Sequence, residues 1–226
     1  MFEPRDESPF WTTAPPLTYV IDYSPDHVGN DSWIQKLAES PPVLLHVGHD
    51  VPFKSMYGPA DGYDYASRRM PDPKEVEDRI ETLSQHISKI HAAGVRLVIP
   101  YVCSMFMFGD PGERRGFWRF YDNWDRYSHF GFGSRPETDP VKWCYEKPRP
   151  LDIEIEGLDG RWVYEPCVNN PDWRRFLRTV VGHIAKVGYD GVFVDVNATT
   201  CSKACCRKLF WEYPVSYTHL TLPTKA

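Results

Sequence analysis

Apolar residues in this chain fall into two patterns. Some form short continuous runs, and others recur every three or four positions along longer stretches. Val43–Gly48, Val95–Tyr101 and Gly191–Asp195 are runs of the first kind, and Leu17–Tyr23 is a shorter candidate. Branched and aromatic residues favour strands, and runs without polar alternation suit strands buried on both faces, as in a parallel sheet. Asp31–Glu39 predicts a short helix, with Asn30 or Asp31 as its cap. Asp72-Pro73 opens a longer one: Glu75 and Glu77 suit the positive end of its dipole, and Val76, Ile80, Leu83, Ile87 and Ile90 share a face. Gly94 closes it. A third helix begins at Asn170, builds its apolar face from Phe176, Leu177, Val180, Val181, Ile184 and Val187, and stops at Gly188. Strand, helix, glycine, strand is the signature of a βαβ unit.

Residues 103–165 interrupt this rhythm. The segment is rich in rings, among them Trp118, Tyr121, Trp124, Tyr127, Trp143 and Trp162. A connection this long normally carries structure or a site of its own. Leu151–Glu156 alternates strictly, and Asp159-Gly160 offers a turn into Arg161–Pro166, so a hairpin is expected that adds a possible fourth strand. Parallel strands joined by helices mean either an open doubly wound sheet or a closed eight-stranded barrel. No glycine-rich phosphate loop follows an early strand, which favours the barrel. The expectation is an α/β chain forming about the first four βα units of a (β/α)8 TIM barrel, with an aromatic-rich insertion containing the hairpin. Residues 1–41 read as an N-terminal extension and 42–213 as the barrel half.

Composition narrows the partners. The formal charge of -5 gives no electrostatic case for nucleic acid or an anionic membrane. No run is long enough to span a bilayer. The N-terminus, Met1-Phe-Glu-Pro-Arg-Asp-Glu-Ser, has no apolar secretory core, so a cytoplasmic location is expected. Cys103, Cys144, Cys167, Cys201, Cys205 and Cys206 are too few for a disulfide scaffold at this length. Residues 214–226, Pro-Val-Ser-Tyr-Thr-His-Leu-Thr-Leu-Pro-Thr-Lys-Ala, resemble a translated cloning adaptor of the kind that ends many environmental reading frames. The natural sequence is then expected to stop near Tyr213, and the chain to be a truncated, inactive fragment.

Asp195 is the main candidate for chemistry. It ends the last apolar run, where a strand leaves the core, and in alternating barrels that rim carries catalysis. The alternative is that it caps the next helix or starts a turn. Three segments resemble the catalytic barrels of glycoside hydrolases. Cys167-Val-Asn-Asn-Pro-Asp-Trp-Arg-Arg-Phe176 is similar to their link from the third strand to its helix. Gly188-Tyr-Asp-Gly-Val-Phe-Val-Asp195 is similar to their fourth strand. Cys201-Ser-Lys-Ala-Cys205-Cys206-Arg-Lys-Leu-Phe210 resembles the cysteine-containing helix start that follows, as in hypothetical glycosyl hydrolases and, more loosely, metal-binding bacterial beta-galactosidases. Those β-galactosidases place an Asn-Glu pair at this strand's end, where this chain has Asp195-Val-Asn197.

The resemblance implies cleavage of O-glycosidic bonds in an oligo- or polysaccharide, without a cofactor. That chemistry needs two carboxyl groups flanking the scissile bond. Asp195 is the candidate nucleophile or stabilising carboxylate, and the resemblance puts its partner on a later strand. Glu165 and Asp50 are runners-up at possible strand ends, although Glu165 also reads as an exposed hairpin charge. His49 and Asp50, Tyr101 and Asn197 are candidates to bind sugar hydroxyls at the rim. Trp118, Trp124 and Tyr127 offer faces for stacking on sugar, although packing the insertion is the commoner fate of such rings. Cys201, Cys205 and Cys206 are either buried thiols or a structural zinc site. A non-catalytic carbohydrate-binding barrel and a metal-dependent hydrolase are the competing functions.

Overall fold

The computed structural model describes residues 18–22, 28–48, 51–53, 71–104, 107–144, 149–150, 162–195 and 206. Its elements are β1 (Tyr19–Asp22), α1 (Asp31–Glu39), β2 (Leu44–Val47), α2 (Pro73–Ala92), β3 (Leu97–Cys103), β4 (Met107–Asp110), β5 (Arg115–Gly116), α3 (Phe117–Asp122), β6 (Arg149–Pro150), β7 (Trp162–Tyr164), α4 (Pro171–Lys186) and β8 (Phe193–Asp195). Short 3-10 turns occupy Trp124–Phe130 and Pro140–Trp143.

The helices start where local chemistry dictates. The Asn30 side chain accepts from the Ser32 and Trp33 amides, and Asn170 does the same for Asp172 and Trp173. Asp72 and Glu75 form a reciprocal capping box ahead of Pro73. Each cap satisfies amides that the helix itself leaves unpaired. At the far end of α4, Gly188 has a φ of 105°, a left-handed conformation that costs glycine nothing.

Four strands form a parallel sheet in the order β1-β2-β3-β8, which is also their order along the chain. The chain is thus of mixed α/β class, with a parallel four-stranded sheet. The fourth strand is β1 rather than the hairpin, because Leu44–Val47 pairs residue for residue with Tyr19–Asp22. The sheet therefore begins inside the segment assigned above to an N-terminal extension.

The sheet's two faces differ. Leu45, Val47, Val98 and Val102 are buried in one apolar cluster with Leu83, Ile87 and Ile90 of α2 and Val180 and Ile184 of α4. On the other face, Tyr19, Ile21, Leu97 and Phe193 stay exposed, as do Val20 and Val194 of the edge strands on the first. Two strands start later than their apolar runs suggest. β3 runs from Leu97 because its ladder begins with the Leu97 amide donating to Val43 O at 2.9 Å. β8 runs from Phe193 because Asp190 and Gly191 serve another purpose. The Asp190 carboxylate accepts from the Val98 amide at 2.7 Å, and the Asp190 amide donates to Val98 O at 3.0 Å. His91 Nε2 lies 3.4 Å from the same carboxylate oxygen. A Cβ on Gly191 would meet Ile99 Cγ2 at 3.3 Å, so glycine lets the strand approach β3.

The excursion after β3 folds as a second sheet, antiparallel, in the order β5-β4-β7-β6. Of the expected hairpin, the alternating segment 151–156 and the Asp159-Gly160 turn lie outside the described residues; Trp162–Tyr164 of its second arm is β7, which pairs with Arg149–Pro150. Against this sheet packs a ring cluster of Phe117, Phe120, Trp124, Phe132, Trp143, Trp173 and Phe176, all fully buried. Phe117 meets Phe176 edge to face at 5.1 Å, and Trp173 stacks on Phe176 at 5.2 Å. Such pairs contribute about 0.5–1.5 kcal/mol each beyond the area they bury. Since Trp173 and Phe176 belong to α4, the cluster welds the excursion to the helix that leads into β8.

The Asp190 clamp sets the approach of β8 to β3. Asp190→Ala is expected to lower unfolding free energy by about 1–2 kcal/mol, the range for a charge-assisted bond to a backbone amide at a part-exposed site. Asp190→Asn, which keeps an acceptor, should cost less. Urea denaturation measures both, and an unaffected alanine variant would show that the clamp does not hold the strand.

Candidate active site

Asp195 is the last residue of β8, and its backbone is in register with Cys103, the last residue of β3. One layer below, Tyr101 pairs with Phe193, their rings 5.9 Å apart. Lower still sits His46, in register with Ile21 on one side and Ile99 on the other. The Tyr19 ring lies parallel to His46 at 6.3 Å, and Phe193 covers it at 4.4 Å. A row of rings from Tyr19 through His46 and Phe193 to Tyr101 therefore crosses all four strands beneath the rim.

His46 is the polar residue of this row, and it is 1 % exposed although its face is otherwise open. Its Nδ1 shares a 2.9 Å hydrogen bond with the Tyr19 hydroxyl. Burial lowers the imidazole's pKa, because the charged form loses its hydration there. Burial thus favours the neutral imidazole, which can exchange a hydrogen bond with tyrosine. The sequence carried a signal for it: a single polar side chain inside the apolar run Val43–Gly48. The rim pair His49-Asp50 drew attention instead, and it lies outside the described residues.

Of the other candidates, Tyr101 is half-buried in the ring row. Glu165 follows β7, so it ends a strand of the antiparallel sheet and not of the parallel one. Asn197, Cys201 and Cys205 lie outside the described residues. Trp118 and Trp124 are corrected from sugar stackers to packing residues. Both are 0 % exposed. Trp118 packs against Tyr164 at 4.7 Å, and its indole donates to Asp139 Oδ1 at 3.0 Å. Trp124 packs on Phe120 at 4.9 Å, and its indole donates to Gly133 O at 2.9 Å. Tyr127 is likewise buried, donating to Pro71 O. Rings whose faces and polar atoms are already occupied have nothing left for a ligand.

Asp139 organises that insertion. It accepts from the Val141 amide at 3.0 Å and from the Arg114 guanidinium at 2.8 Å, and Arg114 also grips Asp122. Burial pushes the Asp139 carboxyl up, but the Val141 amide, Arg114 and Trp118 outweigh it and hold the group below the usual carboxylate range. From α4, the Trp173 indole donates to Ser104 O at 2.9 Å, just past the end of β3. The insertion is thereby anchored next to the rim.

Cys206 lies against Cys167, their sulfurs 3.1 Å apart, and both are buried. Among the described residues, no group of three or more His, Cys, Asp or Glu side chains is placed to hold a metal ion. No described helix is long and apolar enough to cross a membrane. Compared with known proteins, the chain matches no family model and no curated sequence.

Two expected outcomes separate packing from binding. Trp124→Ala should cost roughly 3–5 kcal/mol of unfolding free energy, as for a truncated core ring, whereas loss of a surface platform would leave stability nearly unchanged. His46 favours the fold in its neutral form, because its folded pKa lies below its unfolded one. Its contribution is complete above about pH 6.5 and is lost as pH falls from there through the folded value. His183 is lowered in the same direction by burial between Phe53 and Phe130, so it contributes alongside. His46→Gln should therefore reduce, without abolishing, the stability lost between pH 7.5 and 5.5 in urea titrations. An unchanged pH slope would contradict the assignment.

Proposed function

We propose that this chain contributes half of a barrel-type glycoside hydrolase, cleaving O-glycosidic bonds with a carboxylate pair of which Asp195 is one member. The observation that carries this reading is the strand order. Parallel strands that pair in chain order suit a closing barrel, whereas a doubly wound sheet reverses its order at a switch point. Asp195 ends the fourth of these strands, at the end of the sheet where barrel enzymes build their sites.

Several features support the same reading. The half-exposed face bearing Tyr19, Ile21, Leu97 and Phe193 suits the interior of a barrel still lacking its remaining strands. The insertion after β3 packs a ring cluster against α4, whose Trp173 bonds Ser104 O beside the rim, a position suited to a loop that shapes a sugar cleft. The resemblance of Gly188–Asp195 to a glycosidase fourth strand also gains a physical content, because its Asp190 and Gly191 serve the docking of β8 on β3.

The reading requires four further strands, and the partner carboxylate belongs on one of them. Glu165 is a weaker partner, because it ends a strand of the antiparallel sheet. Residues 1–226 alone are expected to hydrolyse no aryl glycoside. The gene product carrying the downstream strands is expected to do so. In it, Asp195→Asn should lower kcat by about 10³-fold while oligosaccharide binding, measured by calorimetry, persists. Unaltered turnover in that variant would remove Asp195 from the pair. Binding without turnover in the parent would favour a carbohydrate-binding barrel.

A further inference from the structure

We propose that Cys167 and Cys206 form a redox-sensitive pair, whose oxidation to a cystine staples the segment following β8 onto the link that precedes α4. Two facts carry this. The sulfurs lie 3.1 Å apart although 39 positions separate them in sequence. The two thiols also sit at a mechanical junction. The Cys167 amide donates to Trp143 O at 2.9 Å, in the aromatic insertion, and Cys167 O accepts from the amide of Asn170, the cap of α4, at 2.8 Å. Asn169 Nδ2 donates to Cys206 Sγ at 3.3 Å, which ties that sulfur to the same link. A bond here would join the chain downstream of Asp195 to both the insertion and α4.

The chemistry balances with a small-molecule disulfide as oxidant. Cys206 is 8 % exposed against 1 % for Cys167, so it reacts first. Its thiolate, the proton having passed to solvent, attacks one oxidant sulfur and releases one small thiolate. The Cys167 thiolate then attacks the Cys206 sulfur of the mixed disulfide and releases the second. Two protein thiols become one cystine, and the oxidant is reduced to two thiols. Closing so long a loop restricts the unfolded chain, so the oxidised form is the more stable.

The test is incubation of the full chain with oxidised glutathione, then alkylation, digestion without reductant and mass spectrometry. The expected product is one peptide pair joined through Cys167 and Cys206. It is cleaved by dithiothreitol and accompanied by a thermal midpoint roughly 5–10 °C above that of the reduced chain. Cys167→Ser and Cys206→Ser should each abolish the joined pair and the rise. Should either variant fail to fold, the peptide map of the parent chain decides alone. The proposal is overturned if both thiols remain alkylatable, if the bridge maps to Cys201 or Cys205 instead, or if a bound metal recovered with the chain blocks the oxidation.

Discussion

A carboxylate gripping a backbone amide sets where the last strand lies. Asp190 receives the Val98 amide and returns its own amide to the Val98 carbonyl, so the chain leaving α4 is tied to the base of β3 before β8 begins. Everything above that point follows from strand geometry. Tyr101 comes level with Phe193, and Cys103 with Asp195. A parallel ladder has no hairpin to set its register, so a fixed contact at the strand's start serves instead. The close approach needs glycine at 191, and the turn before it needs glycine at 188.

The second constraint is the ring cluster beneath the insertion. Indoles and phenyl rings bury large areas, but each indole N–H needs an acceptor once it is out of water. Here Trp118, Trp124, Trp143 and Trp173 all find oxygen acceptors within the insertion or at the end of β3. This satisfaction explains how so irregular a segment holds one shape. It also explains why the rings do not serve a ligand.

The sheet's other face carries a histidine in its row of rings. The burial of His46 comes from Tyr19 and Phe193, which reach it from strands on either side of it in the sheet. The row ends two residues below Asp195.

The sequence alone determined the helices, since their caps and glycine stops act within a few residues: Asp72, Asn170 and Gly188 act as read, Asn30 rather than Asp31 caps α1, and Glu75, read as a dipole partner, also closes a capping box with Asp72. It also pointed to parallel strands, through apolar runs without alternation, although the burial on both faces that such runs suggest is absent among the described residues of the edge strands β1 and β8. It left open which runs meet. The joining of β1 to the sheet, the exclusion of the hairpin from it and the late starts of β3 and β8 depend on contacts between residues far apart in sequence. Asp190 could be quoted as part of a pattern, but its bond to Val98 spans 92 positions. The Cys167–Cys206 contact was illegible for the same reason, and His46, although visible as the one polar side chain of its apolar run, gave no sign of its partner Tyr19. A side chain's burial and its partner are set by what the fold brings beside it, and local spacing carries no record of that.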